Sequence, residues 1–144
     1  MDTETGFYLD NIYINKSKIS GKGVFSKYEI KANTEIQSLT RPLVRLSEIP
    51  KKGESGYGHS IQLQKNWWLL MDNTPFYYIN HHCNPNVKID LQVTSSKIKS
   101  IRDISSNEEL TLDYSKIIYE DDEFVINCNC GYENCQKVIS GKRK

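Results

Sequence analysis

Apolar and polar side chains alternate along much of this chain. In "NVKIDLQVT", Val87, Ile89, Leu91 and Val93 fall on one face of an extended segment, and Lys88, Asp90 and Gln92 fall on the other. In "ELTLDY", Leu110, Leu112 and Tyr114 share a face, and "NIYIN" (11–15) and "SIQLQ" (60–64) repeat the alternation. A period of two marks strands, because successive side chains leave a strand on opposite sides. "LQKNWW" predicts a hairpin turning at Lys65-Asn66, and "TSSK" (94–97) separates two further strands. Glycines and Asn/Ser clusters punctuate the chain, as many short strands require. No long amphipathic helix is legible. "SEIPKK" (47–52) starts like one, but Pro50 fits only its first turns. The acidic "IIYEDDEF" (117–124) reads as a loop or short helix. The fold class is therefore mainly β, a β-rich α+β arrangement, and 144 residues suit one compact domain.

Charge and composition narrow the picture. A net charge of +1 gives no global pull toward nucleic acid or a membrane surface. No apolar run approaches the ~18 residues that a membrane span needs. The opening "MDTETGFYLD" is acidic and polar, unlike a secretory signal, so a reducing cytosol or nucleus is expected. Against that background the four cysteines acquire meaning. Cys128, Cys130 and Cys135 stand at C-x-C-x4-C spacing, and Cys83 lies far upstream. Two disulfides are one reading of an even count, but they belong to oxidising compartments. One closed tetrahedral zinc site is the stronger reading, and it is structural. His82 is a lesser alternative ligand, since the four cysteines already complete a shell.

Three further stretches hold candidate chemistry. "SGKGVFSK" (20–27) is either a plain turn into a strand or a place where backbone approaches a ligand closely. It is not a dinucleotide fingerprint, because the third glycine and the following helix are missing. Tyr114 on an apolar strand face is ordinarily a core tyrosine whose hydroxyl finds a nearby partner. Asn80 and His81 are readable as mere supports of the turn Asn84-Pro85-Asn86.

Taken in order, "SGKGVF", "INHHCNPNV", "IRDISSNEELTLDY" and "CNCGYENC" resemble the SET-domain protein-lysine methyltransferases over about residues 10 to 140. The likeness is greatest to small members with a SET core and a short post-SET tail. It implies a β-clip-like fold of small sheets with a C-terminal pseudoknot, a SET domain over 8–115 and a zinc-binding post-SET segment over 124–140. It implies S-adenosylmethionine as cofactor, contacted by Ser20, Gly21, Lys22, His59, Asn80, His81, Asn129 and Ile139. Tyr114 becomes the catalytic residue, and Cys83, Cys128, Cys130 and Cys135 the zinc ligands. Leu112, Tyr78 and Phe124 would line the channel for a substrate lysine.

The chain departs from the family pattern at several points. His82 replaces a serine, Asn107 a glycine, Tyr77-Tyr78 an Arg-Phe pair and Gln136-Lys137 an Arg-Gly pair. Leu112 replaces an aromatic residue that shapes the lysine pocket, which implies room for more than one methyl group. The implied partner is a protein or peptide presenting a lysine, with histones the family's commonest target. That would place the protein in the nucleus, or in the cytoplasm for another substrate. No membrane contact and no strong direct nucleic-acid binding are expected. The rival readings are an inactive SET-fold binding module and a zinc-dependent nucleic-acid binder.

Overall fold

The alternating segments become strands, with a few boundaries moved. A computed structural model describes residues 10–40, 42–54, 60–64, 66–71, 74–92, 95–123 and 125–144. Its strands are β1 (Ile12–Lys16), β2 (Lys22–Ser26), β3 (Glu35–Leu39), β4 (Ser60–Gln64), β5 (Trp67–Leu70), β6 (Asn80–His81), β7 (Val87–Asp90), β8 (Ser96–Ser100), β9 (Glu109–Leu112), β10 (Ile126–Asn127) and β11 (Val138–Ile139). Among the described residues the helical structure is limited to 3-10 turns at Leu46–Glu48, Pro75–Tyr78 and Tyr114–Lys116.

The strands form small sheets rather than one large one. β1, β2, β9 and β6 make one sheet in that order, β3, β8 and β7 a second, and β4–β5 and β10–β11 are two-stranded ribbons. Their inward side chains meet in one core, where Ile12, Val24, Ile79, Val87, Ile98, Ile104 and Leu110 are at most 1% exposed. Each such side chain contributes about 1.5–3 kcal/mol by leaving water.

Three boundaries differ from the pattern, each for a local reason. The strand expected to run through Leu91 stops at Asp90, whose partner Lys97 is the last pair of the β7–β8 ladder. Beyond it, Gln92 N–H turns to Ser96 Oγ at 3.3 Å, a side chain replacing the ladder; Val93 lies outside the described residues. Tyr114 is not on the strand. Asp113 accepts hydrogen bonds from Ser115 N and Ser115 Oγ at 3.0 and 2.7 Å, and so caps the 3-10 turn that begins at Tyr114. "SEIPKK" yields one short turn ending before Pro50, as the restriction on residues preceding proline requires. The β4–β5 hairpin forms as expected, although Lys65 lies outside the described residues.

The threading is what positions the site. β6 pairs in parallel with β9, Asn80 against Thr111 and His81 against Leu112, while β2 takes the other edge of β9 antiparallel. Asn86, 1% exposed, holds the following loop onto the same strand. Its Nδ2 donates to Glu109 O and Glu108 Oε2 at 2.8 and 2.9 Å, and its Oδ1 accepts from Thr111 N at 2.8 Å. This is the pseudoknot, and the Asn-Pro-Asn turn is its fastener.

Candidate functional site

The glycine turn joins β1 to β2. Gly21 adopts φ +45, a left-handed conformation that glycine takes without penalty, and Ser17 N–H closes the turn on Gly21 O at 2.8 Å. Across from it, Asn80 Nδ2 donates to Ser20 O, Lys22 O and Glu109 Oε2 at 3.0, 3.1 and 2.9 Å. All three partners are pure acceptors, which fixes the orientation of the carboxamide. Among the described residues no hydrogen bond involves Asn80 Oδ1, which belongs to the same carboxamide beside the exposed turn. Ser20, Gly21 and Lys22 are exposed, and a Cβ on Gly21 would meet nothing within 4 Å.

His81 sits behind this surface. Its ring is 5% exposed, accepts from Tyr114 N–H through Nδ1 at 3.0 Å, and lies 3.4 Å from Cys83 Sγ through Nε2. An accepting Nδ1 places the ring proton on Nε2, facing the sulfur. Burial holds the imidazole below its ordinary pKa, against the opposing pull of Asp113. The side chain therefore does not line an open pocket; it links the turn at Tyr114 to the cysteine cluster.

Tyr114 forms the floor of a cavity of about 940 Å³. Leu46, Ile61, Trp68, Phe76, Ile79 and Leu112 supply much of its apolar wall. The Tyr114 hydroxyl donates to Ile79 O at 2.5 Å. Burial, with Tyr77 and Glu109 nearby, pushes its pKa up to about 12, so it stays protonated across the physiological range. Leu112 lines the cavity. Of the paired tyrosines, Tyr77 lines it whereas Tyr78 packs against the core. The two rings stack on each other, centroids 4.9 Å apart, within the 3-10 turn Pro75–Tyr78.

The four cysteines converge. Sγ atoms of Cys83, Cys128, Cys130 and Cys135 all lie within 4.8 Å of one another, and Cys83–Cys128 is 3.8 Å. A zinc ion with bonds of ~2.3 Å sets tetrahedral edges of ~3.8 Å, so the donor set fits that ion in number, type and spacing. Backbone N–H groups of Gln136 and Lys137 donate to Cys83 Sγ and Cys135 Sγ at 3.2 and 3.4 Å, as thiolates require. Burial pushes the Cys128 thiol up to about 12. Burial also opposes ionisation of Cys130, yet backbone hydrogen bonds from Cys83 and Tyr132 bring its thiol down to about 6. His82 stays outside the cluster, its Nδ1 accepting from Asn84 N at 2.9 Å.

The remaining expected residues scatter. Asn129 is exposed between two of the cysteines. Ile139 is fully buried, paired with Ile126 across β10–β11, and leaves no side-chain surface for an adenine. His59 and Phe124 lie outside the described residues.

Three residues were not anticipated. Glu109 accepts from Ser17 Oγ and Asn80 Nδ2. Asn86 was read only as part of a turn. Arg143 donates to Gln62 O and Leu63 O and lies 4.2 Å over the Tyr119 ring. In each case the partner is more than twenty residues away, and no local pattern marks it.

Comparison with known proteins agrees with this geometry. A family model described as the SET domain matches residues 21–115. Histone-lysine N-methyltransferase 2D of Homo sapiens is 32% identical over 146 residues, covering 92% of this chain and 3% of that protein. Histone-lysine N-methyltransferase trr of Drosophila melanogaster is 32% identical over 144 residues, covering 92% of this chain and 6% of its own length. This chain thus spans a small fraction of the relatives it matches. Among solved structures, KRYPTONITE in complex with mCHG DNA and SAH superposes with a TM-score of 0.71 at 20% identity, over 90% of this chain and 29% of that one; the likeness is one of fold.

Proposed function

Because the chain belongs to the SET-domain family, we propose that it transfers a methyl group from S-adenosylmethionine to the side-chain amine of lysine in a protein substrate. The observation that carries this reading is the convergence on β6 and β9 of two unlike surfaces. One is the glycine turn with the unused Asn80 Oδ1; the other is the apolar cavity floored by Tyr114. Bound S-adenosylmethionine supplies a methyl carbon on a sulfonium, which needs no covalent activation by the protein. Ser20, Gly21, Lys22, Asn80 and Asn129 would hold it, with His81 behind them.

The work left to the chain is alignment, which is worth up to ~7–11 kcal/mol in well-oriented reactions. Tyr114 donates its proton to Ile79 O, so its oxygen lone pairs remain to accept from the amine and aim it. A free lysine amine, with a pKa of about 10.4, is only ~0.1% neutral near pH 7.4. An apolar wall disfavours the ammonium form and raises that fraction. Asp122 is the one carboxylate among the described lining residues, and water carries the proton away without a dedicated base. Cys83, Cys128, Cys130 and Cys135 would hold one structural zinc ion, which would order the tail around Asn129.

The relatives' names suggest a histone substrate and action on chromatin. Among the described residues no helix is long and apolar enough to cross a membrane. The test is a screen of core histones and cell lysate with methyl-labelled S-adenosylmethionine. Label on lysine is expected. Tight cofactor binding with no label on any protein would leave a binding module instead, and a salt-dependent shift of DNA alone would favour nucleic-acid binding.

A further inference from the structure

Beneath the glycine turn lies a charge with no described partner of opposite sign. Glu109 opens β9, opposite Phe25 of β2. Ser17 Oγ donates to its Oε1 and Oε2 at 2.8 and 2.9 Å, and Asn80 Nδ2 to Oε2 at 2.9 Å. Gly23 permits the approach, since a Cβ there would stand 2.3 Å from Oε2. Both donors are neutral, and among the described residues no lysine, arginine or histidine makes an ion pair with this carboxylate. Its field extends to Tyr114, whose hydroxyl it helps to keep protonated.

We propose that Glu109 is the fixed negative charge of the cofactor pocket and makes that pocket prefer S-adenosylmethionine to its product, S-adenosylhomocysteine. The inference rests on the reading of the Asn80 turn as the cofactor site. In the transfer the amine lone pair forms the new N–CH3 bond, and the S–CH3 electron pair stays on sulfur. Sulfur thus passes from a cation to a neutral thioether. The positive charge moves to the methylated nitrogen, which later loses a proton to water. The rest of the nucleoside, including its ammonium and carboxylate, is unchanged. A carboxylate fixed beside the pocket therefore attracts reactant and product alike except through the sulfonium, and the difference aids product release.

Glu109→Gln keeps the shape and an acceptor for Ser17 while deleting the charge. The experiment is calorimetry on the zinc-loaded chain with three ligands: S-adenosylmethionine, S-adenosylhomocysteine, and sinefungin, an analogue carrying an amine in place of the sulfonium. In the variant, the two charged ligands should weaken about 3–10-fold relative to S-adenosylhomocysteine, as expected for a partly screened charge several ångströms away. KM for the cofactor should rise without a fall in kcat. Equal weakening of all three ligands would reduce Glu109 to a support of the turn and overturn the proposal. If the variant fails to fold, the parent decides. Its preference for the charged ligands should shrink between low and high salt, and a salt-independent preference sinks the idea. A parent that binds none of the three overturns the cofactor reading itself, and this inference with it.

Discussion

Between Ile12 and Leu112 the chain is held by buried hydrocarbon, whereas from Val125 onward only Cys128 and Ile139 are buried hydrophobics among the described residues. Val125 and Val138 are 57% and 54% exposed, and the β10–β11 ribbon has two residues per strand. Such a ribbon cannot sustain itself. The four cysteines gather beside it, and polar fastenings tie it to the rest of the chain. Lys142 N–H donates to Ser115 O at 2.8 Å, Arg143 N–H to Ile118 O at 3.0 Å, and the Arg143 side chain reaches β4. One region is stabilised by area and tolerates small errors. The other is stabilised by a few contacts, each of which matters. Cys83 belongs to the first region and its neighbours Cys128 and Gln136 to the second, so the segment that also carries Asn80 and His81 lies where the two meet.

The sharpest break of this contrast is Cys130→Ser. Structural zinc contributes about 10–16 kcal/mol in small metal-folded peptides, so loss of one ligand should release the ion and the tail together. Elemental analysis should show no zinc, amide exchange over 126–143 should become fast, and methyl transfer should cease. The strand core should melt within about 4 °C of the parent, the shift that ~1 kcal/mol produces in a chain of this size. Collapse of the core as well would erase the distinction between the regions.

Tyr114→Phe tests the meeting point. Turnover should fall ~100-fold or more, since an oriented polar group at the reacting atoms is lost. Stability should fall by only about 1 kcal/mol, the worth of one hydrogen bond. The parent's rate should climb with pH as the substrate amine loses its proton, with no downturn by pH 10, because Tyr114 holds its proton to about 12. The linkage has the same sign: a pKa raised on folding stabilises below about pH 10, and that contribution is lost as pH passes about 12.

A smaller effect should follow from Arg143→Ala. Its hydrogen bonds to Gln62 O and Leu63 O join the tail to β4. Their loss should weaken tail docking by about 1.5–3 kcal/mol, read as faster exchange of tail amides with zinc still bound. Arg143→Lys should not restore it, since an ammonium lacks the planar fork that serves two carbonyls and stacks on Tyr119. The mildest change is Leu112→Tyr. The parent should carry lysine beyond the monomethyl product, and the variant should shift the distribution toward monomethyl with little effect on the first transfer. Mass spectrometry at long reaction times checks both, and monomethyl product alone from the parent would remove Leu112 from the argument.

What was legible in the sequence follows the same divide. Periodicity displayed β1, β4 and most of β7, because burial on one face is written in adjacent residues. The cysteine spacing displayed the tail, because thiols at that density have few other uses. Glu109 was passed over because an acidic residue at a strand start is usually solvated, and its donor Ser17 is 92 residues away. Asn86 was passed over for a similar reason: the turn chemistry explained it locally, while its actual partner was Thr111 N. Ile139 was misjudged because proximity to a cysteine says nothing about which way a side chain points. Local chemistry shows that a group needs a partner; only the threading of β6 along β9 shows which one.

That threading has a consequence for synthesis. Hairpins such as β1–β2 and β7–β8 pair with neighbours already made. His81 must wait for Leu112, ~30 residues later, which at 5–20 residues per second is about 2–6 s. Until then β6 is an unpaired edge and Ile79 an uncovered apolar side chain. An edge of β2 is open over the same interval, awaiting β9, so the nascent chain carries more than one unpaired edge, and synonymous codons between positions 82 and 112 that slow the ribosome would lengthen that exposure.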